Sequence, residues 1–552
     1  MTVQEIPTEF GHAIPPRRPS HNNRPCEELG YSPRSLFQKI KSIYPRFLPF
    51  GHAQALSKEI HQKLAFPPTH GCHPFTQPDI FSVAQEHAFS HRRKEPKLVP
   101  GDLIFKVVDI AGVRLYCVGF PMAKTPGVIG VWQNFGTGVS TRLAEHLLTK
   151  VDTLVEVPFD AAGDGDLSIG KVPTATHLPE TAAHQALRER IVGLLNRAPV
   201  GPQSKAVAID DVYLYPTGMA AIYGSHRASM QLRKGPAVGL GAIFTSTYFL
   251  LGEIPGFKHF GACDAQSGVM DKLEVYLQAE AEAGRKVSYI FAEFPSNPIL
   301  VSPDLKRLRQ LADQYGTIVV IDDTVGSFCN IDILSVADVI VTSLTKSFSG
   351  YADVMGGSII LNPSSRNYPA LKKFHRETFH NEYFSGDAEK MLANSADYLA
   401  RSTILNRNAA AIAGFFQAHV GNAGSPVRKV LYPSVSDTSA NYAAVMRPAT
   451  AEFTPGYGCL LSIEFTTLAA ARAFYDNLHV HQGPHLGAHR TIAFSYNIIW
   501  EKEGEDREFH AGYGARVEQV RIAVGLEGVE ELIEVCKEGL RFAVAAAKEG
   551  NP

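Results

Sequence analysis

The stretch best equipped for chemistry is Val339-Ile340-Val341-Thr342-Ser343-Leu344-Thr345-Lys346, followed by Gly350 and the pair Gly356-Gly357. An apolar β-branched run reads as a buried strand, and this one ends in hydroxyl side chains and a single amine. A lysine there is either a solvated strand end or an amine held in a low-dielectric pocket, and the run alone leaves both open. Two further strand ends bear on the choice. Ile318-Val319-Val320-Ile321 delivers Asp322 and Asp323, and a carboxylate after a buried strand is costly without a cationic partner. Thr217-Gly218-Met219 follows Val212-Tyr213-Leu214-Tyr215 and opens a helix, whose first N–H groups and positive dipole end suit a phosphate. It is neither GxGxxG nor a Walker loop, so the phosphate reading rests on the combination.

A phosphate cradle, a strand-end carboxylate and a buried lysine are the parts that hold pyridoxal 5′-phosphate. In such a site the lysine carries the cofactor and later acts as a base. The carboxylate keeps the pyridine nitrogen protonated, so that the ring accepts electrons from the substrate. A non-catalytic cofactor-binding scaffold is the competing class, and a nicotinamide dehydrogenase lacks its glycine fingerprint here.

The elements that must position these groups come in four stretches. Residues 1–50 read as an extended arm, because Pro15, Pro16, Pro19 and Pro25 block helix. Residues 51–150 read as an accessory segment with one helix (52–64) and two strands (103–108, 113–120). Residues 151–362 alternate strands (212–215, 242–244, 287–294, 317–321, 339–342, 358–361) with amphipathic helices, which predicts a mostly parallel α/β sheet. Ligands in such sheets bind beyond the carboxyl ends of the strands. Residues 363–552 read as a smaller C-terminal α/β domain, with a helical stretch over 387–419 and antiparallel strands at 459–465 and 517–524.

Composition excludes other classes. Among 552 residues, 53 Lys and Arg against 55 Asp and Glu leave a net charge of −2, so no basic face calls for nucleic acid or an anionic membrane. Seven dispersed cysteines without a CxxC pair predict free thiols in a reducing compartment. With no signal peptide or membrane-length apolar run, the expected location is cytoplasmic. His70, Cys72 and His73, and the histidines at 479, 481, 485 and 489, lack zinc-site spacing, so no metal is expected.

The order Thr217-Gly218-Met219, Pro295-Ser296-Asn297-Pro298, Asp322-x-Thr324, Ser343-Leu344-Thr345-Lys346 and Val520-Arg521-Ile522-Ala523-Val524-Gly525 resembles the Cys/Met-metabolism family of pyridoxal-phosphate enzymes. The nearest likeness is to fungal-type cystathionine γ-synthases. The resemblance implies fold-type I (aspartate aminotransferase-like) and assigns roles by position. Lys346 resembles the cofactor lysine and catalytic base, and Asp322 the carboxylate on the pyridine nitrogen. Asn297 resembles the residue bonded to the cofactor's phenolic oxygen. Gly218, Met219, Ser343 and Thr345 resemble phosphate contacts. Tyr248 is similar to the tyrosine that stacks on the ring and assists the leaving group. Arg521 resembles the arginine that takes the substrate carboxylate, in the bidentate manner its fork favours. Tyr44 and Arg46, in Tyr44-Pro45-Arg46, resemble residues that reach the phosphate of a neighbouring subunit, which implies a homodimer or homotetramer with its site at the interface. His485 departs from the family's small hydroxyl residue in the turn 483–487, and is expected to reshape the substrate wall and orient an acidic nucleophile.

The activity so implied is γ-replacement on an O-acyl- or O-phosphohomoserine through a vinylglycine-type intermediate. Formation of a C–C or C–N bond by a divergent member, or a β/γ-lyase, is the alternative.

Overall fold

A computed structural model describes residues 45–90, 92–93, 97–99, 101–159, 171–201, 205–497 and 510–549. Tyr44 and most of the expected arm lie outside the described residues. The first sheet is antiparallel, built from β1 (His70–Phe75), β2 (Ile104–Ile110), β3 (Val113–Pro121) and β4 (Val155–Val157) in the order β1-β3-β2-β4. Ala111 and Gly112 both take positive φ between β2 and β3, the backbone that a tight two-residue hairpin requires. Helix Thr125–Phe135 follows this hairpin.

The central sheet has seven strands: β5 (Val212–Tyr215), β6 (Val238–Leu240), β7 (Lys258–Phe260), β8 (Tyr289–Glu293), β9 (Ile318–Asp322), β10 (Val339–Thr342) and β11 (Gly357–Leu361). Their order is β5-β11-β10-β9-β8-β6-β7. Only β11 runs against its neighbours. Val319, Ile321, Ile340 and Ile360 enter one core, while Ile318, Val320, Val339 and Ile359 enter another. Burial on both faces is why these strands read as unbroken apolar runs. The second core continues into Phe75, Phe81 and Trp132, so the accessory segment packs on that face, and Asp79 adds polar contacts across the boundary, accepting from Tyr223 Oη at 3.2 Å and pairing with Arg227 at 3.1 Å.

A third sheet joins β12 (Val427–Leu431), β13 (Leu460–Phe465), β14 (His481–Gln482), β15 (Ile492–Phe494) and β16 (Gln519–Ala523) in the order β12-β13-β16-β15-β14. It is antiparallel except where β14 meets β15.

Two expected elements differ. The strand expected over 242–244 lies at Val238–Leu240, because Gly241 at φ 78° ends it and residues 242–244 become the loop at its carboxyl end. The helical stretch 387–419 is two helices, Ser385–Asn394 and Tyr398–Gln417, separated by a 3₁₀ turn. Among the described residues, no helix is long and apolar enough to cross a membrane.

Candidate active site

The carboxyl ends of β5, β8, β9 and β10 border a cavity open to solvent. Its walls include Gly218, Met219, Asn297, Asp322, Ser343, Lys346 and Arg521. Lys346 stands on the turn after β10, where its N–H donates to Ser343 O at 3.1 Å and its carbonyl accepts from Gly350 N at 2.8 Å. Burial, and then the Arg521 charge, pull its amine down to about 7, with Asp322 opposing. Arg401, which the sequence reading missed, secures this turn from helix Tyr398–Gln417. Its Nη1 donates to Ser347 O and its Nη2 to Phe348 O, each at 3.0 Å, and its Nε pairs with Asp397 at 2.7 Å. Gly350, at φ 75°, leaves room for that guanidinium, which a Cβ would strike. The break between the two helices brings Asp397 and Arg401 to the same turn.

Asp322 ends β9 and pairs in register with Glu293 at the end of β8. Its Oδ1 accepts from Thr324 N at 2.9 Å, and burial raises its carboxyl to about 6 against the Thr324 bonds and the Lys346 charge. Asp323 turns into the protein instead, where Oδ1 accepts from Thr342 Oγ1 at 2.5 Å and burial raises it to about 7. Side chains alternate along a strand, so only one of the two carboxylates reaches the cavity, and it is Asp322. Glu293 also lines the wall. Burial and then the Asp322 charge raise it well above the carboxylate range, while its oxygens accept from Phe244 N and Asn297 N.

Gly218 opens helix Gly218–Leu232 behind the N-cap Thr217, whose Oγ1 accepts from Ala220 N at 2.9 Å. A Cβ at Gly218 would lie 2.6 Å from Ser343 Cβ, so the helix N-terminus and the Ser343 turn approach as only glycine permits. Thr345 does not join them. Its hydroxyl donates to Gly356 O at 3.2 Å and accepts from Gly356 N at 3.1 Å, off the cavity wall. Arg46 does line the cavity, together with Phe47 and Gln133.

At the other end, Arg521 donates from Nη1 to Asn297 Oδ1 at 3.1 Å and from Nη2 to Pro484 O at 2.5 Å. Its Nε is buried without a hydrogen-bond partner, and its plane lies over Tyr496, 4.9 Å from the ring centre. Two expectations need correction here. His485 is fully buried and off the wall, which is formed by its neighbours Pro484 and Leu486, and its carbonyl accepts from Arg521 Nη2 at 3.4 Å. It is not placed to orient a nucleophile. Tyr248 packs on His259 and Phe257, whereas Phe244, before the first turn of helix Thr245–Gly252, lies on the cavity wall in company with Phe47. One turn of helix separates 244 from 248, yet only the loop residue faces the cavity. Spacing alone could not distinguish them, although Phe244 lies nearest the strand end.

This donor set fits pyridoxal 5′-phosphate: an amine, a facing carboxylate, and a helix N-terminus cleared of side chain beside Ser343 and a guanidinium. Comparison with known proteins agrees. The chain is 36% identical over 476 residues to a cystathionine γ-synthase-like enzyme of Amanita muscaria, covering 78% of each chain. It is also 36% identical over 439 residues to an alanine racemase of Aspergillus violaceofuscus, covering 76% of this chain and 72% of that one. The fold matches the crystal structure of cystathionine γ-synthase from Xanthomonas oryzae pv. oryzae at a TM-score of 0.53 and 21% identity, over 71% of this chain and 92% of that one. This is fold-type I. The profile of the Cys/Met-metabolism PLP-dependent enzymes matches residues 208–541, and the chain belongs to that family.

Proposed function

We propose that the enzyme replaces the γ-substituent of an activated homoserine, an O-acyl or O-phospho ester, with an incoming nucleophile. The convergence of Lys346, Asp322 and Arg521 on one cavity carries the reading. Pyridoxal 5′-phosphate bound there would supply the electron sink that makes the substrate's α-hydrogen acidic. Lys346, with its amine near 7, is matched to take that proton and move it between carbons at neutral pH. Asp322, on the cavity wall, would hold the proton on the ring nitrogen. Arg521, with a buried Nε donor to offer, orients the α-carboxylate. Asn297 would hold the phenolic oxygen, and Gly218, Met219, Ser343 and Arg46 the phosphate end. A cytoplasmic homo-oligomer is part of this proposal on the family likeness alone.

One observation favours a second reading. The aromatic residues on the wall are Phe244 and Phe47, neither of which has a hydroxyl to assist a leaving group. Exchange of the α-proton without γ-chemistry, as the name of the Aspergillus relative describes, would need no such group. Incubation in D₂O separates the two. With O-acetyl- or O-phosphohomoserine and a panel of thiols, amines and carbon acids, γ-replacement releases the ester's acid and gives a new adduct by mass. Deuterium at Cα of recovered L-alanine, with no turnover of either ester, would select the second reading instead.

A further inference from the structure

Among the described wall residues, Glu293 is the ionisable group that the reaction above leaves without a role. It ends β8, is 5% exposed, and stands in register with Asp322 on the next strand. Its two oxygens serve two different loops. Oε1 accepts from Phe244 N, in the loop after β6, and Oε2 accepts from Asn297 N at 3.3 Å, in the loop after β8. Phe244 and Asn297 both line the cavity. The far side of the Asn297 loop is tied separately, since Ser462 Oγ on β13 donates to Pro298 O at 2.8 Å. Arg521 Nη1 donates to Asn297 Oδ1 at 3.1 Å, which leaves the amide nitrogen of Asn297 as the donor for a ligand.

We infer that Glu293 is a positioning residue that ties these two loops together and so sets the place of the Asn297 amide against the cofactor's phenolic oxygen. This rests on the cofactor reading above. The surroundings explain how a second acid is tolerated beside Asp322. Asp322 from β9, Lys346 from the turn after β10 and Arg521 from β16 share the wall with Glu293, and Tyr496 and Tyr513 lie within electrostatic reach. Two buried carboxyls at adjacent strand ends do not both ionise. Burial raises both, but the Thr324 bonds and the Lys346 charge oppose it at Asp322, so Glu293 keeps the proton. A protonated carboxyl still accepts at both oxygens, so the tie between the loops survives and the pyridine nitrogen faces a single negative charge.

The test is a spectroscopic pH titration of full-length holoprotein, following the absorbance of lysine-linked cofactor near roughly 420 nm. An N–H donated to the phenolic oxygen competes with the proton that this oxygen helps to hold on the lysine nitrogen. Releasing Asn297 should therefore raise the midpoint. In Glu293→Ala the expected rise is roughly one pH unit, the size of a weakened hydrogen bond to a charged oxygen. Glu293→Gln has one acceptor oxygen in place of two, and should fall between Glu293→Ala and the wild type. The double variant Glu293→Ala with Asn297→Ala should titrate as Asn297→Ala alone.

The direction of the shift separates this role from an electrostatic one. Loss of a negative charge beside the site would lower the midpoint, so a fall in Glu293→Ala would overturn the inference. A wild-type midpoint in Glu293→Ala with only a lower melting temperature would do the same, and so would a full additional shift in the double variant. Should Glu293→Ala fail to fold, Glu293→Gln decides, and a wild-type midpoint there counts against the role. Persistence of the absorbance in Lys346→Ala would instead defeat the cofactor reading on which the inference rests.

Discussion

Replacing Gly218 with alanine puts one methyl group where the structure leaves no room. The new Cβ would lie 2.6 Å from Ser343 Cβ, 2.8 Å from its Oγ and 3.0 Å from its Cα. Rotation of the Ser343 side chain moves only the Oγ, so the backbone at 343 or the start of helix Gly218–Leu232 must give way. Reaching ordinary contact at 3.4 Å requires a shift of 3.4 − 2.6 = 0.8 Å. Overpacking of this kind costs about 1–3 kcal/mol, and alanine in a helix returns at most ~1 kcal/mol. The displaced groups are those proposed to hold the phosphate, so the strain should appear as a loss in cofactor affinity of roughly 5- to 150-fold. Spectroscopic titration with pyridoxal 5′-phosphate is the assay, since a chain of several domains need not unfold in two states. Gly193→Ala is the control: it is exposed in helix Ala182–Asn196 with nothing within 4 Å, and should stabilise by about 0.5–1 kcal/mol. Wild-type cofactor affinity in Gly218→Ala would refute the argument that this close approach forms the cradle.

Lys346→Ala should lose both the absorbance near roughly 420 nm and turnover while keeping the far-ultraviolet circular dichroism of the wild type. Retained turnover would rule out Lys346 as the base. Asp322→Asn should hold cofactor yet lose most of kcat, whereas Asp323→Asn should change kcat little, because Asp323 bonds Thr342 away from the cavity. The reverse order in steady-state kinetics would exchange their roles. Burial holds His73 at about 4 in the fold, with the Arg46 charge adding to the effect. The unfolded chain, near 6.5, binds the proton first, so stability is complete above pH 6.5 and is lost as pH falls toward 4. At pH 5 the loss is about 2 kcal/mol. His73→Phe should therefore lose less melting temperature than wild type between pH 7 and 5, and an equal loss would count against this assignment.

The parallel sheet was legible because its strands are buried on both faces and therefore spell continuous β-branched runs, as in 318–321 and 339–342. Lys346, Asp322 and Gly218 were legible for the same reason: each follows such a run directly, and ligands gather at those ends. What the chain alone could not specify was the direction of side chains set by distant contacts. Thr345 follows the right strand, but the backbone of Gly356 captures its hydroxyl. His485 lies in the right turn, but packing places Pro484 and Leu486 on the wall and His485 behind it. Phe244 rather than Tyr248 faces the cavity because Gly241 ends β6 early and Glu293, on another strand, accepts from Phe244 N. Arg46 reaches the cavity wall with Pro45 O and Phe47 O held by Trp132 and Gln133, more than 80 residues away along the chain. Runs of residues determine elements locally, through burial and backbone preference. The wall of a cavity is determined by which elements meet there, and those meetings are tertiary.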